Sequence, residues 1–187
     1  MEIGTILDSI YELPPGSKNN IIELIKEEEH PRGFRLLNAD KVERNIYFIK
    51  EGIVRAYIDS SGDEITFWLG KEGDTIVSMR SYVENKQGYE NIELLENCIL
   101  YKLNTASLNS LFFKDIYVAN WGRKFAEQEL LKTEGRLISR QFKTASERYD
   151  ELMKNTPEFL QRIQLSHIAS YLGITQVSLS RIRAQLK

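Results

Sequence analysis

The chain has 187 residues, 42% of them hydrophobic and 10% aromatic, with 25 Lys and Arg against 27 Asp and Glu for a net charge of −2. That much apolar material supports a packed core and excludes a wholly disordered chain, while no apolar run approaches the roughly 20 residues a membrane-crossing helix needs. A single cysteine, Cys98, excludes an internal disulfide and a cysteine-ligated iron–sulfur cluster.

The opening MEIGTILDSIYELPPG is acidic where a secretory leader would be basic, so a cytoplasmic protein is expected. Two helical pieces are expected in the first thirty residues. Pro14-Pro15-Gly16 separates them, Ser17 is the expected N-cap of the second, and IIELIKEEE supplies its apolar face. His30-Pro31-Arg32-Gly33 should stop it.

From Phe34 to Leu103 the pattern changes to short strands between turns. NIYFIKEGIVRAY reads as a hairpin about Glu51-Gly52. Asp59-Ser60-Ser61-Gly62-Asp63 and Lys71-Glu72-Gly73-Asp74 are two further turns, and IELLENCILYKL closes the region as strand. Turns at intervals near ten residues predict a small antiparallel sandwich or barrel.

Residues 107–143 switch to helical period. Ile116, Ala119, Arg123, Ala126, Leu130, Thr133 and Leu137 recur at spacings of three and four, a heptad-like seam interrupted by Arg123 and Thr133. Such a helix either packs along its own domain or runs along a twin in a homodimer. The length of the seam favours the twin. SERYDELMK, from Ser146, begins a further short helix, and a domain boundary is expected near Lys143 to Ser146.

The segment from Phe159 to Lys187 holds four basic residues (Arg162, Arg181, Arg183 and Lys187) and no carboxylate, leaving 21 basic against 27 acidic elsewhere, a net of −6. A positive end on an acidic body suits contact with a polyanion through one face. Within it, SHIASYLGITQVSLSRIR predicts two helices, one from Ser166 to Leu172 and one from Gln176 to Leu186. Ile168, Leu172, Ile174, Leu179 and Ile182 form the expected buried set. Ala169 permits a close helix crossing, and Gly173 suits a left-handed turn. Thr175 can cap the second helix. These offsets spell a helix-turn-helix. On its exposed face Gln176 suits adenine, Arg181 guanine, Ser180 several partners and Val177 a thymine methyl, with Thr175 and Arg183 completing the candidate DNA-binding set. His167 is expected to be solvated or to face phosphate, and Cys98 to be a small core residue.

The segment RYDELMKNTPEFLQRIQLSHIASYLGITQVSLSRIRAQLK resembles the DNA-binding end of Crp/Fnr-family transcription regulators, especially the Bacteroidetes-type branch. GFRLLNADKVERNIYFIKEGIVRAYI with ITFWLGKEGD resembles that family's cyclic-nucleotide-binding-like β-roll. The resemblance covers roughly Arg32 to Lys187. It implies an α+β protein: N-terminal helices and an antiparallel β-roll (a double-stranded β-helix) over 1–106, a long dimerisation helix over 107–143, and a helix-turn-helix domain over 144–187.

Family base-reading positions fall on Gln176, Val177 and Arg181. The best-known members carry Arg, Glu and Arg there, so a different target sequence is implied. With Lys187 ending the sequence, the family's usual β wing would be absent and the salt dependence shallower. Where cyclic-AMP-binding members carry a Gly-Glu pair, this chain has Val77-Ser78. Gly88-Tyr89 stands where an Arg and a small residue would grip the phosphate, and Arg80 is out of place.

A homodimeric transcription regulator that binds double-stranded DNA and does not respond to cyclic AMP is therefore expected, with RNA polymerase as a further implied partner. The effector is unknown, with Ser78, Arg80 and Tyr89 as pocket candidates. No cofactor, metal, catalytic residue or membrane partner is expected. Of the two histidines only His30 lies in the barrel half, too few ligands for a metal-dependent barrel enzyme. The alternative is an effector-sensing module that acts through protein contacts with little DNA binding.

Overall fold

The structure is a computed structural model and describes residues 1–60 and 62–185. Two short helices, α1 (Ile3–Ile10) and α2 (Pro15–Ile22), open the chain. Proline at the first position of α2 presets its backbone, and the N-cap is Pro14 and not Ser17, which is a buried residue of the helix itself.

The charged run after α2 is not helix. Ile25–His30 forms a strand, β1, paired antiparallel with β8 (Cys98–Asn104) from Ile25 opposite Leu103 to His30 opposite Cys98. It is an edge strand with Lys26, Glu27 and Glu29 exposed. Edge strands commonly carry charge, and here pairing with an apolar partner overrides the helix preference of Lys and Glu.

The remaining strands are β2 (Arg35–Leu37), β3 (Asn45–Glu51), β4 (Val54–Ser60), β5 (Asp63–Gly70), β6 (Thr75–Ile76) and β7 (Asn91–Leu94). They form two antiparallel four-stranded sheets, β1-β8-β3-β6 and β2-β7-β4-β5. The hairpin expected at Glu51-Gly52 is instead a crossing, because β3 and β4 belong to different sheets. Gly52 has φ +108, and a Cβ there would lie 2.4 Å from Cys98 Sγ, so only glycine lets the chain pass between the sheets. The β4–β5 pair is a true hairpin, with Ser60 opposite Asp63; its turn residue Ser61 lies outside the described residues. The strand expected over 92–103 is split at 95–97 into β7 and β8, one per sheet. Leu37, Ile49, Val54, Ile76, Leu94, Leu100 and Cys98 fill the space between the sheets. Burial pushes the Cys98 thiol up to about 11, which suits a packing residue.

A short helix, α3 (Met79–Glu84), lies between β6 and β7. After β8 the helical region breaks once. Asn104 caps α4 (Thr105–Phe112), and Asp115 accepts from the amides of Tyr117 and Val118 to start α5 (Ile116–Phe142). At 27 residues, α5 is about 40 Å long. Its first turns pack on the roll: Val118 and Trp121 are buried with Ile6, Leu7, Phe48 and Leu108, and Trp121 Nε1 donates to Leu7 O at 3.0 Å. Its far half carries the seam on the opposite face, with Leu130, Leu131, Leu137 and Ile138 exposed.

Thr144 and Glu147 form a capping box that starts α6 (Ala145–Asn155) one residue before the expected Ser146. Then follow α7 (Phe159–Arg162), α8 (Leu165–Leu172) and α9 (Gln176–Gln185). The expected end of the last helix at Leu186, and the basic Lys187, lie outside the described residues.

Candidate nucleic-acid interface

Gly173 ends α8 in the left-handed region, at φ 68 and ψ 35, and the amide of Ile174 returns to Ala169 O at 3.0 Å. The amide of Ser178 donates to Thr175 Oγ1 at 3.2 Å, which caps the start of α9. Ile168, Ala169, Leu172 and Leu179 are fully or almost fully buried, and Ile174 and Ile182 pack half-buried against them. Full burial of an Ile or Leu side chain contributes about 2–3 kcal/mol, so Ile168 and Leu179 alone are substantial ties within this helical pair.

The outer face of α9 is open. Gln176, Val177, Ser180 and Arg181 are exposed, Thr175 is exposed beside them, and Arg183 is half-buried in the last turn. Gln176 and Ser180 share one helical stripe, Val177 and Arg181 the next. No carboxylate occurs from Phe159 onward, so nothing on this face repels phosphate.

Two of the charged expectations change. Arg162 does not contribute to a free basic end. It forms bidentate pairs with Glu72 (Nη2 to Oε1 2.8 Å, Nη1 to Oε2 3.2 Å) and Glu96 (Nη2 to Oε2 2.6 Å, Nε to Oε1 3.0 Å). His167 is half-buried beside Arg55, Glu64 and Glu93, and so less solvated than expected. Burial first, and Arg55 second, hold its pKa below the ordinary value.

These contacts dock the helical pair on the roll. Ser170 Oγ accepts from the Thr66 amide at 2.9 Å and donates to Glu64 O at 3.0 Å, so α8 lies along β5. Lys71 pairs with Glu158. Arg148 donates to the carbonyl of Leu172 at 2.7 Å, where a cation suits a helix C-terminus. Ile53 and Leu69 of the roll share one apolar cluster with Tyr149, Leu152, Phe159 and Ile163.

The three residues expected to mark an effector pocket differ in their exposure. Ser78 is buried and donates to Ser81 Oγ at 3.1 Å, Arg80 is exposed beside Glu84, and Tyr89 is 60% exposed. Glu90 was not anticipated. It is 6% exposed, and its Oε1 has no hydrogen-bond partner among the described residues. A Cβ at Gly88 would lie 2.7 Å from Ser78 Oγ and 2.9 Å from Glu90 Oε1, so a carboxylate fills the space beside that glycine. Among the described residues no group of three His, Cys, Asp or Glu side chains is placed to hold a metal, and no helix is long and apolar enough to cross a membrane.

The β-roll followed by a long helix is the fold of the catabolite activator proteins. Residues 27–115 match the cyclic nucleotide-binding domain family. Solved structures extend the similarity across the chain. The catabolite activator protein of Thermus thermophilus is 18% identical, with a TM-score of 0.60 over 97% of this chain and 86% of that one. FixK2 of Bradyrhizobium japonicum is 21% identical, with a TM-score of 0.71 over 87% and 84%. The c-di-GMP-responsive global regulator CLP of Xanthomonas campestris is 14% identical, with a TM-score of 0.68 over 92% and 91%. No curated protein matches the chain by sequence.

Proposed function

We propose that this protein is a homodimeric, sequence-specific DNA-binding transcription regulator of the Crp/Fnr type whose roll does not respond to cyclic AMP. The carrying observation is the open, carboxylate-free face of α9, with Gln176, Val177, Ser180 and Arg181 exposed on a helix whose other side is anchored by Leu179. As a helix-turn-helix, α8 and α9 would place that face in a major groove, and a two-fold pair would reach half-sites roughly 34 Å apart. Docking against the roll leaves the face clear, so no rearrangement is needed to expose it.

Selection of bound sequences from a random DNA pool tests the reading. On the selected site Arg181→Ala is expected to weaken binding by about 1–3 kcal/mol, roughly 5- to 150-fold, and to relax selectivity at one base pair. An unchanged footprint would count against it.

The cyclic-AMP part rests on charge. A cyclic phosphate needs a positioned cation, and the matching place holds Gly88 with the buried Glu90 beside it. Cyclic AMP at about 1 mM is expected to leave the DNA titration midpoint unchanged. A shift would show that another group supplies the cation.

A further inference from the structure

A cleft of about 600 Å³ opens between the roll, the far half of α5 and the helical pair, and neither Ser78 nor Glu90 lines it. That volume is in the range of pockets that hold small organic ligands. One wall is aromatic and the other cationic. Trp68, Phe159 and Tyr171 line the first. Trp68 lies across Gly70, where a Cβ would come within 2.1 Å of the indole, so the glycine is what lets the ring lie there.

The cationic wall is one face of α5, where Lys132, Arg136 and Arg140 follow at intervals of four. The carboxylates of the cleft are already engaged. Glu129 pairs with Lys132 at 2.7 Å, and Glu151 accepts from Lys143 and Ser139, each at 2.9 Å. Asp74 accepts from the Lys71 amide and lies 3.9 Å from Lys132 Nζ, and burial raises its pKa. Among the described residues the two arginines have no carboxylate partner. Arg136 donates to Thr133 Oγ1 at 2.9 Å, and Arg140 reaches the turn at Gly173. Two like charges one turn apart line the cleft, and no described carboxylate lies within ion-pair distance of either. Gly135, in the interior of the same helix, has nothing within 4 Å of where its Cβ would stand, so the cleft stays open there.

We propose that this cleft binds a small organic acid with a flat aromatic body, the acid group held by Arg136 and Arg140 and the body seated against Trp68, Phe159 and Tyr171. Such a ligand touches the roll, the long helix and the helical pair at once. It therefore sets their relative position, and its action as an effector rests on the regulator reading above. The binding itself does not.

Calorimetry on the full chain separates the two. The probes are benzoate, 2-naphthoate and indole-3-acetate, each beside its neutral alcohol analogue. At least one acid is expected to bind at least about tenfold more tightly than its alcohol. Arg136→Gln with Arg140→Gln should abolish that preference, whereas Arg80→Gln should keep it. Gly135→Leu, which fills the space without removing a charge, should abolish binding of acid and alcohol alike. Acids and alcohols that bind equally, or acids that show no heat up to about 1 mM, overturn the proposal. Acid binding by a protein that selects no DNA supports the cleft and removes the regulator reading. Acid binding that leaves DNA affinity unchanged overturns the effector role.

Discussion

A chain carrying Leu130→Asp and Leu137→Asp is expected to sediment as a monomer at concentrations where the unsubstituted protein, as proposed, is expected to sediment as a dimer. Both leucines lie on α5 one heptad apart, 70% and 61% exposed, with Leu131 and Ile138 beside them. An apolar stripe of this length on a solvent-facing helix is a poor design for an isolated chain and a natural one for a parallel partner. In a two-fold pair each substitution counts twice. Four leucines removed from an interface weaken association by roughly 6 kcal/mol or more, about ten-thousand-fold in the dimer constant. Neither side chain contributes to the core, so far-ultraviolet circular dichroism should not change. Affinity for a palindromic DNA site should fall with the dimer, because one α9 then reaches only one half-site. A variant that remains dimeric would move the interface elsewhere.

The two faces of α5 also explain why its sequence reads ambiguously. Its inward stripe starts with Val118 and Trp121 against the roll and continues through Lys132, Arg136 and Ser139 along the cleft. Its outward stripe is the seam. Both recur at spacings of three and four, so periodicity alone finds a second apolar stripe without assigning either to its partner.

Local chemistry was legible where it decides structure locally. The β4–β5 hairpin, the Gly173 turn, the Thr175 cap and the buried set from Ile168 to Ile182 all follow from short-range offsets, and the structure places them accordingly. What was illegible depends on distant partners. Ile25–His30 is strand only because β8 arrives beside it, and Gly52 marks a crossing and not a hairpin because Cys98 lies across from it. The buried Glu90 looks like any surface glutamate until the fold closes over it. Arg162 reads as a member of the basic end, yet its partners lie 66 and 90 residues away in the roll, and the partner of Ser170 lies 106 residues away. The exposure of the outer face of α9 was therefore readable, and the contacts of the face that docks were not.

That docked face gives the last expectation. Arg162→Met leaves Glu72 and Glu96 without the guanidinium they share, and it should loosen the C-terminal helices from the roll. Burial alone would raise the Glu72 carboxyl, but Arg162, aided by the Gly52 amide, outweighs it and holds the group at about 2, against an ordinary value of 4.5. A carboxyl depressed in this way stabilises the folded state fully above about pH 4.5 and loses that contribution as pH falls towards 2. The full shift corresponds to roughly 3 kcal/mol, and the partly exposed setting screens it to about 1–2 kcal/mol. Losing the hydrogen bonds to Glu96 as well makes about 2–3 kcal/mol reasonable for Arg162→Met near pH 7. In a chain of this size that is about 4–10 °C in Tm. The gap between variant and unsubstituted protein should narrow steadily as melts are repeated from about pH 5 down to about pH 2.5. Hydrogen exchange should accelerate in α6 to α9 while the sheet core around Ile49 and Leu100 stays protected, since the clamp joins the two parts and supports neither core on its own. A Tm gap that does not vary with pH would mean that Arg162 acts through packing of its stem and not through its charge.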